Sequence, residues 1–311
     1  MSFSFEFSGD DIEASPGDQA SLSPCNQPQQ QPEKEPGKAS AFPVPGKPQL
    51  PPVHHDLKQM LSNMPSKIAY NTLDIVLDDG QTIKLPRREL WDVRVQLMAE
   101  AEEDEGTSGE GLGDHDVKTG VYEGGFKSWE SSVDLVKVLA EKNHPNSWDN
   151  KSARIIEKTL PVLQDALSIE GELELTPVIL DGFTAYLFSH NIHISFLSGG
   201  WSPDFIKLLY SLPGPDITTE QPVTLLLGAE TIYSPFALQT FTEMVLSILA
   251  REANTFSADA AAWVAAKRIY FGVGGSLDDL VDKLQTRGAL VTGLREEVEG
   301  VRRGVVHCVY T

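Results

Sequence analysis

The sequence predicts an α/β protein with an open sheet, and three observations support this fold class. From Gly120 onward, short apolar runs of strand length alternate with segments that have the apolar spacing of helices. Two of these helical segments are preceded by serine followed by proline, which is typical of a helix start. The chain has 311 residues, of which 41% are hydrophobic, and this is enough for one sizeable domain with a buried core.

The first 55 residues are predicted to be a disordered tail. Residues 15–52 consist largely of Pro, Gln, Ser and Lys, with a glutamine-rich run at 27–31. Such a segment buries too little apolar surface to offset the entropy that is lost on ordering. A docking or targeting arm is the alternative interpretation of this tail.

A small extension of helix, hairpin and helix is predicted over residues 56–101. Residues 72–77 and 82–85 have the composition of two short strands around an Asp-Gly turn. Pro86 is expected to end the second strand, and helical apolar spacing follows in the rest of the extension. The acidic, glycine-containing segment 102–118 is predicted to be a flexible loop.

The α/β domain is predicted to cover residues 119–311 and to begin with a helix over 128–142. Ser131 and Asp134 have the spacing of a capping box at the start of this helix. Gly288 is expected to end the last helix of the domain. Other helices are predicted to start at Ser202, Ser234 and Ser276. Strands are predicted at 153–157, 192–197, 223–227, 261–269, 291–294 and 305–310.

The charge of the chain excludes some classes of partner. A formal net charge of -20 argues against direct nucleic-acid binding, which needs clustered Lys and Arg. The same charge favours a basic protein partner, although a simply solvated acidic surface is the alternative. No apolar run is long enough to cross a bilayer, and the segment that starts with Met1 has no basic region leading into an apolar one. We therefore expect a cytoplasmic protein without membrane contact, with the nucleus as a second location left open.

Neither cysteines nor histidines predict a metal site. Cys25 and Cys308 are far apart and have no zinc-ligand spacing, which is typical of a protein from a reducing compartment. His190 and His193 form an H-x-x-H, but they flank the start of a predicted strand and lack an acidic third ligand. No metal is therefore expected, and the sequence is silent on the oligomeric state.

Four segments resemble the protein-histidine methyltransferases, in the order in which that family carries them. Residues 122–135 read YEGGFKSWESSVDL, which is similar to the block by which the family is recognised. Residues 196–201 read FLSGGW, residues 228–235 read GAETIYSP and residues 266–275 read AKRIYFGVGG. The resemblance implies a Rossmann-like sheet of seven strands, the last of them antiparallel. It also implies methyl transfer from S-adenosylmethionine to a histidine of a large-subunit ribosomal protein.

The resemblance assigns five residues to the cofactor pocket. Trp129 and Trp201 match positions that would supply apolar walls and a π face, and ordinary core aromatics are the alternative for both. Glu130 would accept a hydrogen bond from the methionine amino group, unless it is a surface glutamate favoured by the helix dipole. Gly200 belongs to the same block as Trp201, and Ala229 stands where family members usually carry serine.

Glu230 and Tyr233 form an E-x-x-Y arrangement after the strand predicted at 223–227, and the resemblance places this pair at the substrate mouth. Glu230 is expected to accept from the far ring nitrogen of the target histidine and so set its tautomer, while Tyr233 lines the channel. A neutral imidazole is already a nucleophile, so positioning provides most of the catalysis. Because related protein-lysine methyltransferases share E-x-x-Y, a lysine enzyme is one alternative.

The chain departs from the family where the cofactor loop should be. In the family, the first strand continues into a glycine-rich loop, a helix and a second strand whose terminal acid binds the ribose. Here Glu157 runs directly into Lys158-Thr159-Leu160-Pro161, and no glycine occurs at positions 153–170. A βαβ unit needs about 30 residues or more, so the sheet is predicted to be incomplete. A catalytically inactive binding protein is therefore a second alternative.

Overall fold

The computed structural model describes residues 39–40, 43, 47–103, 128–141, 171–212, 223–256 and 259–310. The strands in these ranges are β1 Val53–His55, β2 Lys67–Val76, β3 Thr82–Arg88, β4 Gly171–Glu174, β5 Phe196–Ser198, β6 Val223–Ala229, β7 Asp259–Lys267, β8 Ala289–Glu297 and β9 Arg303–Tyr310. The α-helices are α1 Leu57–Ser62, α2 Leu90–Glu103, α3 Glu130–Ala140, α4 Pro177–Ser189, α5 Pro203–Ser211, α6 Pro235–Arg251 and α7 Leu277–Thr286. A π-helical segment, Glu252–Phe256, extends α6.

Four strands form the main sheet, in the order β6, β7, β9, β8. β6 runs parallel to β7, so their carboxyl ends meet at the same edge of the sheet. The last strand, β9, runs antiparallel to both of its neighbours, as the resemblance implied. Among the described residues, β6 pairs with β7 alone.

Helices cover both faces of this sheet. On one face α3 packs Leu135 and Val138 against Trp263 and Val305. On the other face α6 and α7 pack against the alternate residues of β7, among them Val264. β7 is apolar and buried from Ala261 to Ala266, as expected for a central strand with helices on both faces. The result is a three-layer α/β/α arrangement, which confirms the predicted α/β class.

The N-terminal extension contains the predicted hairpin, but its second strand continues past the proline. β2 and β3 pair antiparallel from Val76 opposite Thr82 to Tyr70 opposite Arg88. The prediction that Pro86 ends the strand was wrong. β3 is the edge strand of the sheet β3-β2-β4, where a residue without an N–H is tolerated.

Two further corrections concern the ends of predicted elements. Val53–His55 was assigned to the disordered tail, yet it pairs antiparallel with Phe196–Ser198 as β1 and β5. The strand predicted at 192–197 is limited to that second segment. β4 and α4 were not predicted, and the glycine and glutamates of β4 explain why no strand pattern was visible.

The serine helix starts are confirmed. Ser202, Ser234 and Ser276 each accept a hydrogen bond from the backbone N–H three residues further on, and Gly288 follows the last helix with φ +89°. The strand predicted at 153–157, with the junction after it, lies outside the described residues. So do residues 104–118 of the predicted acidic loop and most of the predicted tail.

Arg295 on β8 fastens the hairpin turn to the main sheet. Its Nη1 and Nη2 donate to the two oxygens of Asp78 at 2.7 and 2.9 Å, and its Nη1 also reaches Glu141 at 3.0 Å. The hydrogen bond from Arg295 lowers the pKa of Asp78 below its ordinary value, against the smaller opposing effect of burial. The pair therefore contributes stability above the carboxyl's unfolded-state pKa, and this contribution is lost as the pH falls through the lower folded-state value.

We expect Asp78→Asn to lower the free energy of unfolding by roughly 0.5 to 1 kcal/mol at pH 7, since the carboxylate is largely exposed. The difference in unfolding free energy between this variant and the unaltered chain should shrink below about pH 4. It should vanish once Asp78 is protonated in both the folded and the unfolded state. Urea unfolding at several pH values measures this. Asp74→Asn, a change at an exposed position of the same hairpin, is the control. An equal loss of unfolding free energy in both variants would mean that the ion pair of Asp78 with Arg295 does not stabilise the fold.

Candidate functional site

The candidate site lies where the carboxyl ends of β6 and β7 meet, and Glu230 is at its centre. Glu230 follows β6 directly and has a left-handed backbone with φ +57°, a conformation that costs a residue with a side chain about 1 kcal/mol. Its backbone N–H donates to the carbonyl of Ala265 on β7 at 3.1 Å. The backbone therefore leaves the strand sharply at this point, and such strain concentrates at functional sites.

The Glu230 carboxylate is held by two hydroxyl groups. Ser131 near the start of α3 donates its hydroxyl proton to Oε1 of Glu230. Tyr270 makes a second side-chain hydrogen bond to Glu230, and burial first, then the Glu230 charge, raises the pKa of Tyr270 far above its usual range. The phenol therefore stays protonated and donates, while the backbone N–H of Lys267 donates to its oxygen at 3.3 Å.

The predicted capping box at the start of α3 was wrong, because both of its side chains have other partners. The N-cap residue is Trp129, which makes no side-chain capping hydrogen bond. Ser131 turns to Glu230, and Asp134 accepts from Nε of Arg303 at 2.7 Å. Both side chains are buried, so the helix start serves as a connection between α3, β9 and the site.

The carboxylate of Glu130 is paired with Arg303, the arginine that also contacts Asp134. Nη1 of Arg303 donates to Glu130 at 2.7 Å. Burial by itself lowers the pKa of Arg303, but the hydrogen bond to Asp134 and the charges of both carboxylates outweigh it and raise the pKa. Arg303 is therefore a permanent cation bridging two carboxylates of α3.

Lys267 places a positive charge between two aromatic rings of the site. Its Nζ lies 5.2 Å from the ring centroid of Trp129 and 5.8 Å from that of Tyr270. Both distances are within the range of cation–π attraction. The π face of Trp129 that was predicted for a cofactor cation is thus already opposite an ammonium group of the chain itself.

The predicted site residues fall into two groups. Trp129, Glu130 and Glu230 lie near the start of α3, and Ala229 packs with the apolar cluster that α3 covers. Trp201 and Tyr233 pack instead against the core under α6, where the rings of Trp201 and Phe241 are 5.4 Å apart. Gly200 donates its N–H to the carbonyl of Leu50 at 3.0 Å. The strand ends lie between the two groups.

The loop after β7 is hydrogen-bonded to the segment that carries Glu230 and Tyr233. The N–H of Gly275 donates to the Tyr233 carbonyl at 3.2 Å, and the N–H of Tyr270 donates to the Gly275 carbonyl at 2.9 Å. A Cβ on Gly275 would lie 1.9 Å from the carbonyl oxygen of Ile232. Only glycine permits this approach, so residues 270–275 have a fixed position beside the site.

Gly275→Ala should therefore be strongly destabilising. We expect a loss of about 3 kcal/mol or more in the free energy of unfolding, because backbone must move to admit the methyl group. Gly272→Ala is the matched control: its φ of +79° is unfavourable, but nothing lies within 4 Å of the added Cβ, so about 1 kcal/mol is expected. Urea unfolding of both variants measures the difference, and equal losses would mean that the loop does not pack on Ile232.

Four functional candidates escaped the sequence reasoning. Lys267 and Tyr270 lie within the AKRIYFGVGG segment, but no role was predicted for them. The parallel pairing of β6 and β7 places them near Glu230. Ser131 was assigned to helix capping. Arg303 carried no signal, because its partners are more than 160 positions away in sequence.

Nothing in the described ranges suggests a metal site. His190 ends α4, where its ring stacks on Tyr186 with centroids 4.0 Å apart. Those ranges contain no group of three or more His, Cys, Asp or Glu side chains that could hold an ion. Burial raises the pKa of Cys308 to about 12, and such a thiol is unreactive. None of the helices in the described ranges is both long and apolar enough to cross a membrane.

The described residues do not fit S-adenosylmethionine as the resemblance predicted. The carboxylate of Glu130 is paired with Arg303, and the N–H of Gly200 is used by Leu50. The Lys267 ammonium over Trp129 has the same charge as a sulfonium and would repel it. The buried Oγ1 of Thr231, the residue after Glu230, has no hydrogen-bond partner in the described part of the chain, and a water molecule or a bound ligand can supply one.

An α/β sheet with a polar cluster at the carboxyl ends of parallel strands is the arrangement in which open-sheet enzymes bind their ligands. No protein-family model matches this chain. It is 29% identical over 277 residues to "Histidine protein methyltransferase 1" of Schizosaccharomyces pombe, covering 74% of this chain and 76% of that protein. It is 28% identical over 298 residues to the protein of the same name from Saccharomyces cerevisiae, covering 73% and 76%.

A rat protein, "Histidine protein methyltransferase 1 homolog", is 25% identical over 226 residues, covering 63% of this chain and 59% of the rat protein. By resemblance the chain is a methyltransferase enzyme with a Rossmann-like α/β fold. More particularly, the predicted relationship to the protein-histidine methyltransferases is confirmed. The resemblance supports protein-histidine methylation in general, and therefore a protein substrate.

Proposed function

We propose that this chain recognises a histidine of a large-subunit ribosomal protein, and that methylation of its imidazole is the activity of the lineage. The observation that supports this most directly is the Glu230 carboxylate, held at the meeting point of β6 and β7 in a strained backbone. S-adenosylmethionine supplies the methyl group in this reaction. We place the reaction in the cytoplasm, with the nucleus as a second location.

Glu230 is suited to an imidazole. An ionised carboxylate has about four acceptor positions, and Ser131 and Tyr270 fill two of them. A remaining position accepts the far ring N–H of the target histidine, which leaves the lone pair of the other nitrogen free to react. A substrate lysine would instead have its pKa raised by this carboxylate and stay protonated, and this argues against the lysine alternative.

We further propose that the sheet is the seven-strand type from which the cofactor loop and its neighbouring strand have been removed after Glu157. The alignment with the fission-yeast protein spans 277 positions. This is more positions than there are residues in the 74% of this 311-residue chain that the alignment covers. The relative therefore has residues within the aligned span that have no counterpart in this chain.

A catalytically inactive binding protein is the second candidate, and the poor fit to the cofactor favours it. This protein would retain the substrate surface around Glu230 without transferring a methyl group. An apolar cavity of about 220 Å³ is lined by α5, α6, β6 and β7, and its lining contains none of the predicted site residues.

The test uses large-subunit ribosomal proteins extracted from cells in which the gene for this chain is deleted. The purified chain, Glu230→Gln and a variant with a family-like segment inserted after Glu157 are incubated with these proteins and methyl-labelled S-adenosylmethionine. Mass spectrometry then locates the label. Label on histidine supports the proposal, label on lysine supports the lysine alternative, and no label with any variant would remove methyl transfer. Retained binding without label would identify the inactive binder.

A further inference from the structure

An apolar surface lies beside the candidate site and is exposed to solvent. The loop after β7 presents Phe271 with 86% of its surface exposed, together with Ile269 at 53% and Val273 at 43%. Phe236, next to Pro235 at the start of α6, is 48% exposed. We call these four residues, Ile269, Phe271, Val273 and Phe236, the Phe271 surface.

The loop keeps Phe271 exposed by its own hydrogen bonding. The N–H groups of Val273 and Gly274 both donate to the Tyr270 carbonyl, at 3.4 and 3.1 Å. Gly274 lies against the start of α6, where an added Cβ would be 3.5 Å from Pro235. Burying a phenylalanine side chain stabilises a protein by about 1.5 to 3 kcal/mol, and this fixed loop forgoes that gain.

The Phe271 surface is continuous with the candidate site. Tyr270, the residue before Phe271, hydrogen-bonds Glu230, and Gly275 at the end of the loop is bonded to Tyr233. A protein segment whose histidine reaches Glu230 must therefore run beside Phe271. The exposed side chain of Asp279 follows the loop at the start of α7, next to Asp278, which is 62% exposed and forms an ion pair with Arg268.

We infer that the Phe271 surface docks the substrate protein through an apolar side chain a few residues from the target histidine, with basic side chains on the outer side. This inference rests on the proposed function and specifies its substrate. The apolar contact suits Phe271, and the basic flank suits both the aspartates of α7 and a chain of net charge -20. Aromatic anchors of this kind carry most of the binding energy at protein interfaces.

The experiment measures binding to the full chain without cofactor. The probes are labelled peptides, each centred on one histidine of a large-subunit ribosomal protein, and the readout is fluorescence anisotropy. Peptides that bind the unaltered chain should bind Phe271→Ala at least ten-fold more weakly. Their binding to Phe271→Leu should be weakened less. Phe188→Ala is the matched control, since Phe188 on α4 is 89% exposed and outside this surface. Thermal melting should be unchanged in all three variants.

Two results would overturn the inference, and they are distinguishable. Peptide binding that is equally strong in Phe271→Ala would refute the docking surface while leaving the proposed substrate class intact. No binding by any histidine peptide would remove both the substrate class and the surface. A bound peptide whose apolar neighbours are changed to serine should lose affinity for the unaltered chain but lose little further affinity for Phe271→Ala.

Discussion

The purified chain should bind S-adenosylmethionine roughly ten- to a thousand-fold more weakly than a variant with a family-like glycine-rich segment inserted after Glu157. About three hydrogen bonds are missing, at about 0.5 to 1.5 kcal/mol each. The segment 158–161 cannot replace them, because side chains obstruct close approach and Pro161 has no N–H to donate. The pairing of Glu130 with Arg303 and the charge of Lys267 are common to both proteins, so they do not contribute to this difference.

Isothermal titration calorimetry on both proteins measures this difference. A second insertion of equal length, made of Gly and Ser in random order, is the control, because it restores chain length without the recognition segment. Rescue by the family-like segment alone would support a lost loop. Micromolar binding by the unaltered chain would show that another segment forms the pocket, and the account of a deletion would then be wrong.

Local signals predicted the elements of the fold that depend on local chemistry. Ser202, Ser234 and Ser276 cap helices as expected, since the cap is a contact between a side chain and an N–H three residues away. Pro86 failed as a strand end because its tolerance depends on β3 being an edge strand. That position is a property of the whole sheet and leaves no trace in the neighbouring residues.

The position of Glu230 was predicted, whereas its hydrogen-bond partners were not. Glu230 follows an apolar strand, so its place at a carboxyl end was visible from the sequence. Ser131 was misassigned because a serine in a first helical turn usually caps, and its partner Glu230 is 99 positions away. Residues that act through long-range partners, such as Arg303, have no short-range pattern.

Glu230→Gln should lower turnover by about a hundred-fold or more in the chain that carries the inserted cofactor segment, since the neutral amide no longer favours the reactive tautomer of the substrate imidazole. The sequence predicted a role in substrate recognition rather than folding, and the contacts with Ser131 and Tyr270 add a structural role. The amide oxygen can still accept from Ser131, as Oε1 does now, so the loss in unfolding free energy should be about 1 kcal/mol.

Glu230→Gly separates the two roles. Glycine adopts φ +57° without cost and so recovers about 1 kcal/mol of backbone strain, which offsets part of the lost hydrogen bonding. The buried Ser131 hydroxyl loses its acceptor, so we expect a protein about 1 to 3 kcal/mol less stable than the unaltered chain that methylates as poorly as Glu230→Gln. Glu243→Gln, a change at an exposed position of α6, should leave both properties unaltered. Full methylation by either Glu230 variant would remove this carboxylate from the mechanism. A loss of several kcal/mol in the unfolding free energy of Glu230→Gly would mean that the carboxylate mainly connects α3 to the strand ends and so stabilises the fold.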